Sequence, residues 1–138
     1  MKKGFAVMEI VVVAAVFVFL FVFTVPKFMS LVHKAQEGST KHQLMRVRSA
    51  IAAYYGENQG VYPTDDLSCL VPRYLEEIPQ ARLPGHAPSS HVSTGNFETA
   101  LTNTGGWVYI NDPADPRFGD FFVNSTEEDS YGKTWHTH

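Results

Sequence analysis

The hydrophobic pattern changes twice along this chain. Residues 5–25 are apolar on every helical face; Glu9 is the one charge among them and Thr24 the one other polar side chain. Further on the pattern becomes periodic. Leu44, Val47, Ile51 and Tyr54 recur at helical spacing, and Leu31, Ala35 and Met45 extend the stripe. Lys34, Gln36, Lys41, Gln43, Arg46 and Arg48 fall on the other side, which predicts an amphipathic helix with a solvated polar face. Joined, the two patterns predict one helix over residues 5–55, about 75 Å long, with Gly56 and Gly60 bracketing its end. The later pattern is different again. Trp107-Val108-Tyr109-Ile110 and Asp120-Phe121-Phe122-Val123 are aromatic and β-branched, which predicts two strands. Residues 111–119, with Pro113 and Pro116, connect them. The expected fold class is α+β: a long N-terminal helix packed on a small antiparallel sheet or hairpin.

The intervening segments carry turn chemistry. Gly60-Val61-Tyr62-Pro63-Thr64 turns the chain, and Asp65 is placed to cap a short helix over residues 66–70. Pro72 and Pro79 flank a segment whose Tyr74, Leu75 and Ile78 read as core. Residues 82–95, rich in Pro, Gly, Ser and His, read as an irregular loop, and residues 96–102 as one or two helical turns.

Length and charge narrow the function. The 138 residues fit one domain, and a net charge of −3 without a basic run argues against nucleic-acid binding. Twenty-one residues of helix just span a bilayer core of ~30 Å. Lys2 and Lys3 precede them, so the N-terminus is expected to stay in the cytoplasm. An acid inside such a segment costs roughly 2.5–3.5 kcal/mol at the membrane centre. Glu9 is therefore a functional candidate that needs a partner. An ordinary secretory signal would have a shorter apolar run followed by a small-x-small cleavage site. Thr24-Val25-Pro26-Lys27-Phe28 is a poor site of that kind. The small residue is Gly4, ahead of the apolar run, and a cut there would leave the helix on the mature protein.

Lys3-Gly4-Phe5-Ala6-Val7-Met8-Glu9 resembles the leader junction of type IV pilins and type II secretion pseudopilins. The resemblance implies cleavage between Gly4 and Phe5 by a prepilin peptidase, N-methylation of Phe5, and roles in assembly for Glu9 and Pro26. Those two become the fifth and twenty-second mature residues. It also implies three parts: a cleaved leader at 1–4, a transmembrane and filament-core helix at 5–28, and a periplasmic or surface globular domain at 29–138. Cleavage would create an α-amino group on Phe5, positive near neutral pH, one helical turn from Glu9. That amine, from the same or a neighbouring subunit, is the expected partner of the carboxylate. Pro26 predicts a kink or local melting over residues 24–27. Tyr54-Tyr55 through Tyr62-Pro63, and Gly105-Gly106-Trp107-Val108-Tyr109 with Val123-Asn124-Ser125, resemble later pilin-like segments more loosely. The phenylalanine-rich run Phe17, Phe19, Phe21 and Phe23 departs from the family in composition. A signal anchor with an incidental acid is the plain alternative.

Candidate chemistry in the globular part is sparse. Asp112, Asp115 and Asp120 lie in or beside the hairpin loop, and Glu127, Glu128 and Asp129 form a second acidic group. Oxygen-rich loops can hold Ca²⁺, and major pseudopilins use a calcium-stabilised C-terminal loop. This chain lacks their usual Pro-Asp-Pro-Trp-Gly stretch, however, and its acids have no EF-hand spacing; solvated loop acids are the simpler reading. His86 and His91 read as exposed loop residues, and His136 and His138 are too few for a metal site. Cys69 has no intrachain partner and reads as a small buried apolar residue. No nucleophile elbow, phosphate loop or paired catalytic carboxylate is present, so no enzymatic activity is expected.

The expected function is thus that of a structural subunit. It would wait in the inner membrane, be added by an assembly platform with its ATPase, and join a homo-oligomeric helical filament with other pilin-like subunits. A type II secretion pseudopilin is the first expectation. A surface pilin for adhesion, motility or DNA uptake is the second, and a membrane-anchored periplasmic binding module the third.

Overall fold

The computed structural model describes residues 2–138; Met1 of the expected leader lies outside the described residues. The chain divides into two compact units, Met1–Lys34 and Ala35–His138. Helix α1 spans Lys2–Glu57, 56 residues, slightly longer at both ends than the expected 5–55. It is unbroken through Pro26, so the melting expected over residues 24–27 does not occur here. The helix ends where Gln59 and Gly60 both take positive φ, and the Gly60 N–H bonds back to the Tyr55 carbonyl.

In the second unit α1 presents a buried stripe. Leu44, Val47, Ala50 and Ile51 are buried as their spacing predicts. Met45, placed on that stripe by the sequence pattern, is 61% exposed, and Ala35 is exposed as well. The positions that continue the stripe toward the N-terminus are polar: Glu37 and Thr40 are buried.

The sheet has three strands in the order β1-β2-β3: β1 Val92–Gly95, β2 Trp107–Ile110 and β3 Phe121–Val123. β2 and β3 pair antiparallel, with Trp107 opposite Val123 and Tyr109 opposite Phe121. β1 runs parallel to β2, with Val92 beside Trp107. The expected antiparallel hairpin is present as β2 and β3, but the sheet as a whole is mixed, which corrects the expected antiparallel sheet. The extra strand comes from a segment read as loop. Val92 is its one large apolar residue, too little for a periodic signal, and it is the parallel neighbour that makes it a strand. The short helix α2, Phe97–Ala100, lies in the connection to β2; Asn96 caps it by accepting the Thr99 N–H at 2.9 Å.

Both faces of β2 and β3 are covered, which is why these strands are apolar at successive positions. Trp107, Tyr109, Phe121 and Val123 pack in one core with Leu44, Val47, Ile51, Leu67, Leu70 and Trp135. Val108, Ile110 and Phe122 pack on the opposite side with Ala100, against Phe97 and Leu101. Buried polar tips are satisfied: Trp107 Nε1 donates to the Pro79 carbonyl at 2.7 Å and the Tyr109 hydroxyl to that of Pro63 at 2.6 Å. Gly106, at φ +103°, admits no side chain at the entry to β2, since a Cβ would sit 2.9 Å from the His91 carbonyl.

The segment after β3 is fastened to α1 by polar groups. Lys41 Nζ lies 2.6 Å from Asp129 Oδ2, which also meets His138 Nε2 at 2.9 Å. Glu37 accepts the Ser130 N–H at 3.2 Å. Arg48 donates to the backbone oxygens of Phe121 at 2.8 Å and of His138, the last residue, at 2.6 Å. Lys41 and Arg48 thus do structural work rather than lying on a solvated face. Burial by itself would raise the Asp129 carboxyl. The Lys41 ammonium and the N–H groups of Lys133 and Tyr131 outweigh that and hold it well below the ordinary aspartate range. Burial, with Lys41 and Lys133 nearby, keeps His138 below its ordinary value against the pull of Asp129.

Both shifts make the unfolded chain bind more protons than the folded one, so stability falls as pH falls. The His138 part is lost from about pH 6.5 downward and the Asp129 part through about pH 4 and below. Asp129→Asn is expected to lower stability at neutral pH by about 2–4 kcal/mol and to flatten the acid limb. Thermal melts of both proteins from neutral to acid pH check this; an Asp129→Asn protein with the same acid limb as the parent would refute it.

Candidate functional site

The side chains that the sequence pattern singles out on α1 lie in its first unit. Sixteen large apolar residues from Phe5 to Val25 are exposed, Phe5 at 78%. Leaving them in water would forgo on the order of 20 kcal/mol of hydrophobic stabilisation. A domain of this size is stable by only about 5–15 kcal/mol. On an insertion scale the fifteen Phe, Val, Ile and Leu residues favour the bilayer by about 5–10 kcal/mol, and one acid takes back about 3 at most. This helix is long and apolar enough to cross a membrane.

Gly4, Phe5 and Glu9 fall within the first two turns of α1. Phe5 and Glu9 are four residues apart, so they share a helical face. Glu9 is exposed and makes no ion pair among the described residues. Two shallow grooves flank it. One is lined by Ala6, Ile10, Val13, Ala14 and Phe17, the other by Phe5, Met8, Val12 and Val13. Gly4 has ordinary helical φ, and nothing stands within 4 Å of where a Cβ would be. The fold therefore does not require glycine there. Pro26 lies seventeen residues beyond Glu9, about 25 Å along the axis. Having no N–H, it leaves the Val22 carbonyl without its usual helical donor.

The acids of the hairpin loop are spent on local structure. Asp115 accepts the N–H groups of Phe97 and Arg117, both at 2.8 Å, which hold it below the ordinary aspartate range. Asp112 accepts the Ala114 N–H at 2.9 Å, and Asp120 pairs with Arg117 Nε at 3.0 Å. The second acidic group is also split, because Asp129 turns inward to Lys41 while Glu127 meets His86 at 3.4 Å. No cluster of three or more His, Cys, Asp and Glu side chains that could hold a metal forms among the described residues. His86 is half-buried against Gly105 rather than free in its loop. Cys69, expected inside, is exposed, with Sγ 3.4 Å from Asp65. Partial loss of solvent, then the Asp65 hydrogen bond and charge, push its thiol up to about 11, which disfavours the thiolate at neutral pH. Asp65 does organise the turn: its carboxylate also accepts the N–H groups of Leu67 and Cys69.

Comparison with protein-family models, with curated proteins and with solved structures gives no match for this chain.

The energetics above give a direct expectation. Two charges at the helix centre, Val13→Arg with Val16→Arg, oppose insertion by about 6 kcal/mol, enough to cancel most of its drive. Alkaline extraction of expressing cells is expected to leave the parent chain in the membrane pellet and to release the double variant. A double variant that stays in the pellet would contradict the spanning role of this helix.

Proposed function

We propose that this chain is a structural subunit of a type IV pilus-like filament, most similar to a pseudopilin of a type II secretion system. The observation that carries the proposal is the junction Gly4-Phe5 with Glu9 one turn downstream, at the head of an exposed apolar helix. Glycine at position 4 meets no demand of the fold, which supports a requirement set from outside, by a peptidase. Its low helix propensity, about 1 kcal/mol below alanine, also eases the local opening that cleavage needs.

In this reading each feature has a task. The peptidase cuts before Phe5 and exposes an ammonium group. The first unit holds the subunit in the inner membrane and later packs among the same helices of its neighbours. Glu9, costly in lipid when alone, is relieved when a neighbour's Phe5 amine reaches it across the grooves that flank the carboxylate. Pro26 leaves one carbonyl free, a point at which the helix can adjust when it leaves lipid for the filament. The second unit forms the outer surface. Residues 78–85, Ile78-Pro79-Gln80-Ala81-Arg82-Leu83-Pro84-Gly85, stand where a major pseudopilin has its calcium-loop stretch. That departure favours a surface pilin as the second reading.

Gly4→Glu is expected to block processing, leaving only the longer precursor on immunoblots of cells that carry the peptidase. Glu9→Ala is expected to be processed normally, remain in the membrane and fail to enter sheared filaments. Mature-size Gly4→Glu protein would defeat the cleavage assignment, and unimpaired filaments from Glu9→Ala would defeat the pairing.

A further inference from the structure

A cleft of about 370 Å³ opens in the second unit between α1 and the loop that leads into β3. The filament reading gives it no task. Its volume falls in the range of small-molecule sites, and its walls are mixed. On one side the rings of Tyr55 and Tyr62 lie 4.4 Å apart, and Tyr62 also packs on Phe118. Ile51, Ala52, Phe121 and Phe122 add to the apolar lining, and residues 136–138 form a further wall. Two arginines, Arg48 and Arg117, also line the cleft. Arg48 uses Nε and one N–H of Nη2 on backbone oxygens. Arg117 uses Nε on Asp120, and its guanidinium carbon lies 4.1 Å from the centre of the Phe97 ring. A guanidinium has five N–H donors, so most of those on both arginines remain uncommitted among the described residues. Asp120 is the one carboxylate side chain in the lining, and it is turned to Arg117 Nε.

Each arginine is held by contacts that use only part of its fork. The backbone oxygens fix Arg48, and the two aromatic faces of Phe97 and Phe122 fix Arg117. Fixed forks that lose little side-chain freedom on binding suit a bidentate acceptor. The adjoining tyrosine wall suits a flat apolar body. The geometry points to a binding site for an organic carboxylate, its oxygens on Arg48 and Arg117 and its apolar part against Tyr55 and Tyr62. The carboxylate has two possible sources, a free small acid or an acidic side chain of a second copy of this chain.

The test is a benzoate titration of the full chain in detergent micelles, followed by NMR of the arginine Nε–H and tyrosine ring signals. Saturable shifts of Arg48, Arg117 and Tyr62 are expected. Arg117→Gln should weaken the fitted dissociation constant about tenfold, with β2 and β3 amide signals unmoved. Ala52→Trp, which fills the cleft mouth and keeps both charges, should abolish the shifts. Repeating the titration at low and high protein concentration separates the sources. Benzoate affinity that falls as protein concentration rises means a second copy's carboxylate competes for the cleft; affinity independent of concentration means a free acid. Absence of saturation into the tens of millimolar, an undiminished response in folded Arg117→Gln, or inorganic sulfate binding as tightly as benzoate would each overturn the assignment.

Discussion

The dominant physical constraint in the first unit is one stretch of helix with no polar face. The apolar side chains of residues 5–25 are exposed, and burying them in an apolar surrounding would gain on the order of 20 kcal/mol. This helix is long and apolar enough to cross a membrane. Glu9 gains its meaning from that. In water a surface glutamate is unremarked; between two apolar grooves it is a charge waiting for a partner.

The second unit solves a different problem with the same helix. Past Lys34, α1 buries Leu44, Val47 and Ile51 against the sheet, and it also carries Glu37, Thr40, Lys41 and Arg48 toward partners far along the chain. Thr40 is representative: its hydroxyl donates to the Arg82 carbonyl at 2.6 Å and accepts the Arg82 N–H at 2.8 Å. Such contacts set the register of loops against the helix, which apolar packing alone leaves loose. The segment after β3 is held by charge as well as by the buried Trp135, so its stability depends on pH.

How much of this could be read from the chain depended on how local the determining physics was. α1 was legible because its two patterns, uniform and periodic, are local, and β2 and β3 because dense aromatic and β-branched residues have few alternatives. β1 was not, since a parallel pairing with β2 decides it and its own residues Ser93, Thr94 and Gly95 carry little signal. Lys41 and Arg48 looked like surface charges because their partners, Asp129 and the backbone oxygens of Phe121 and His138, lie 73 or more positions away. Leu67 shows the same limit. It is fully buried at φ +72°, a conformation leucine rarely takes, held there by Asp65 and the core. In the candidate site, the sequence singled out Gly4, Phe5 and Glu9 by their spacing, and the structure places them near the start of α1, with Phe5 and Glu9 exposed.

The filament reading and the plain membrane-anchor reading share the same helix and differ in what happens at its first residues. Mass spectrometry of the N-terminal peptide, from protein isolated from the cells that naturally make it, separates them. A peptide that begins at Phe5 with a methyl group on its α-nitrogen is the expected result. A peptide that retains Met1 and the intact Gly4–Phe5 bond, or one that begins beyond Val25, would contradict the filament reading.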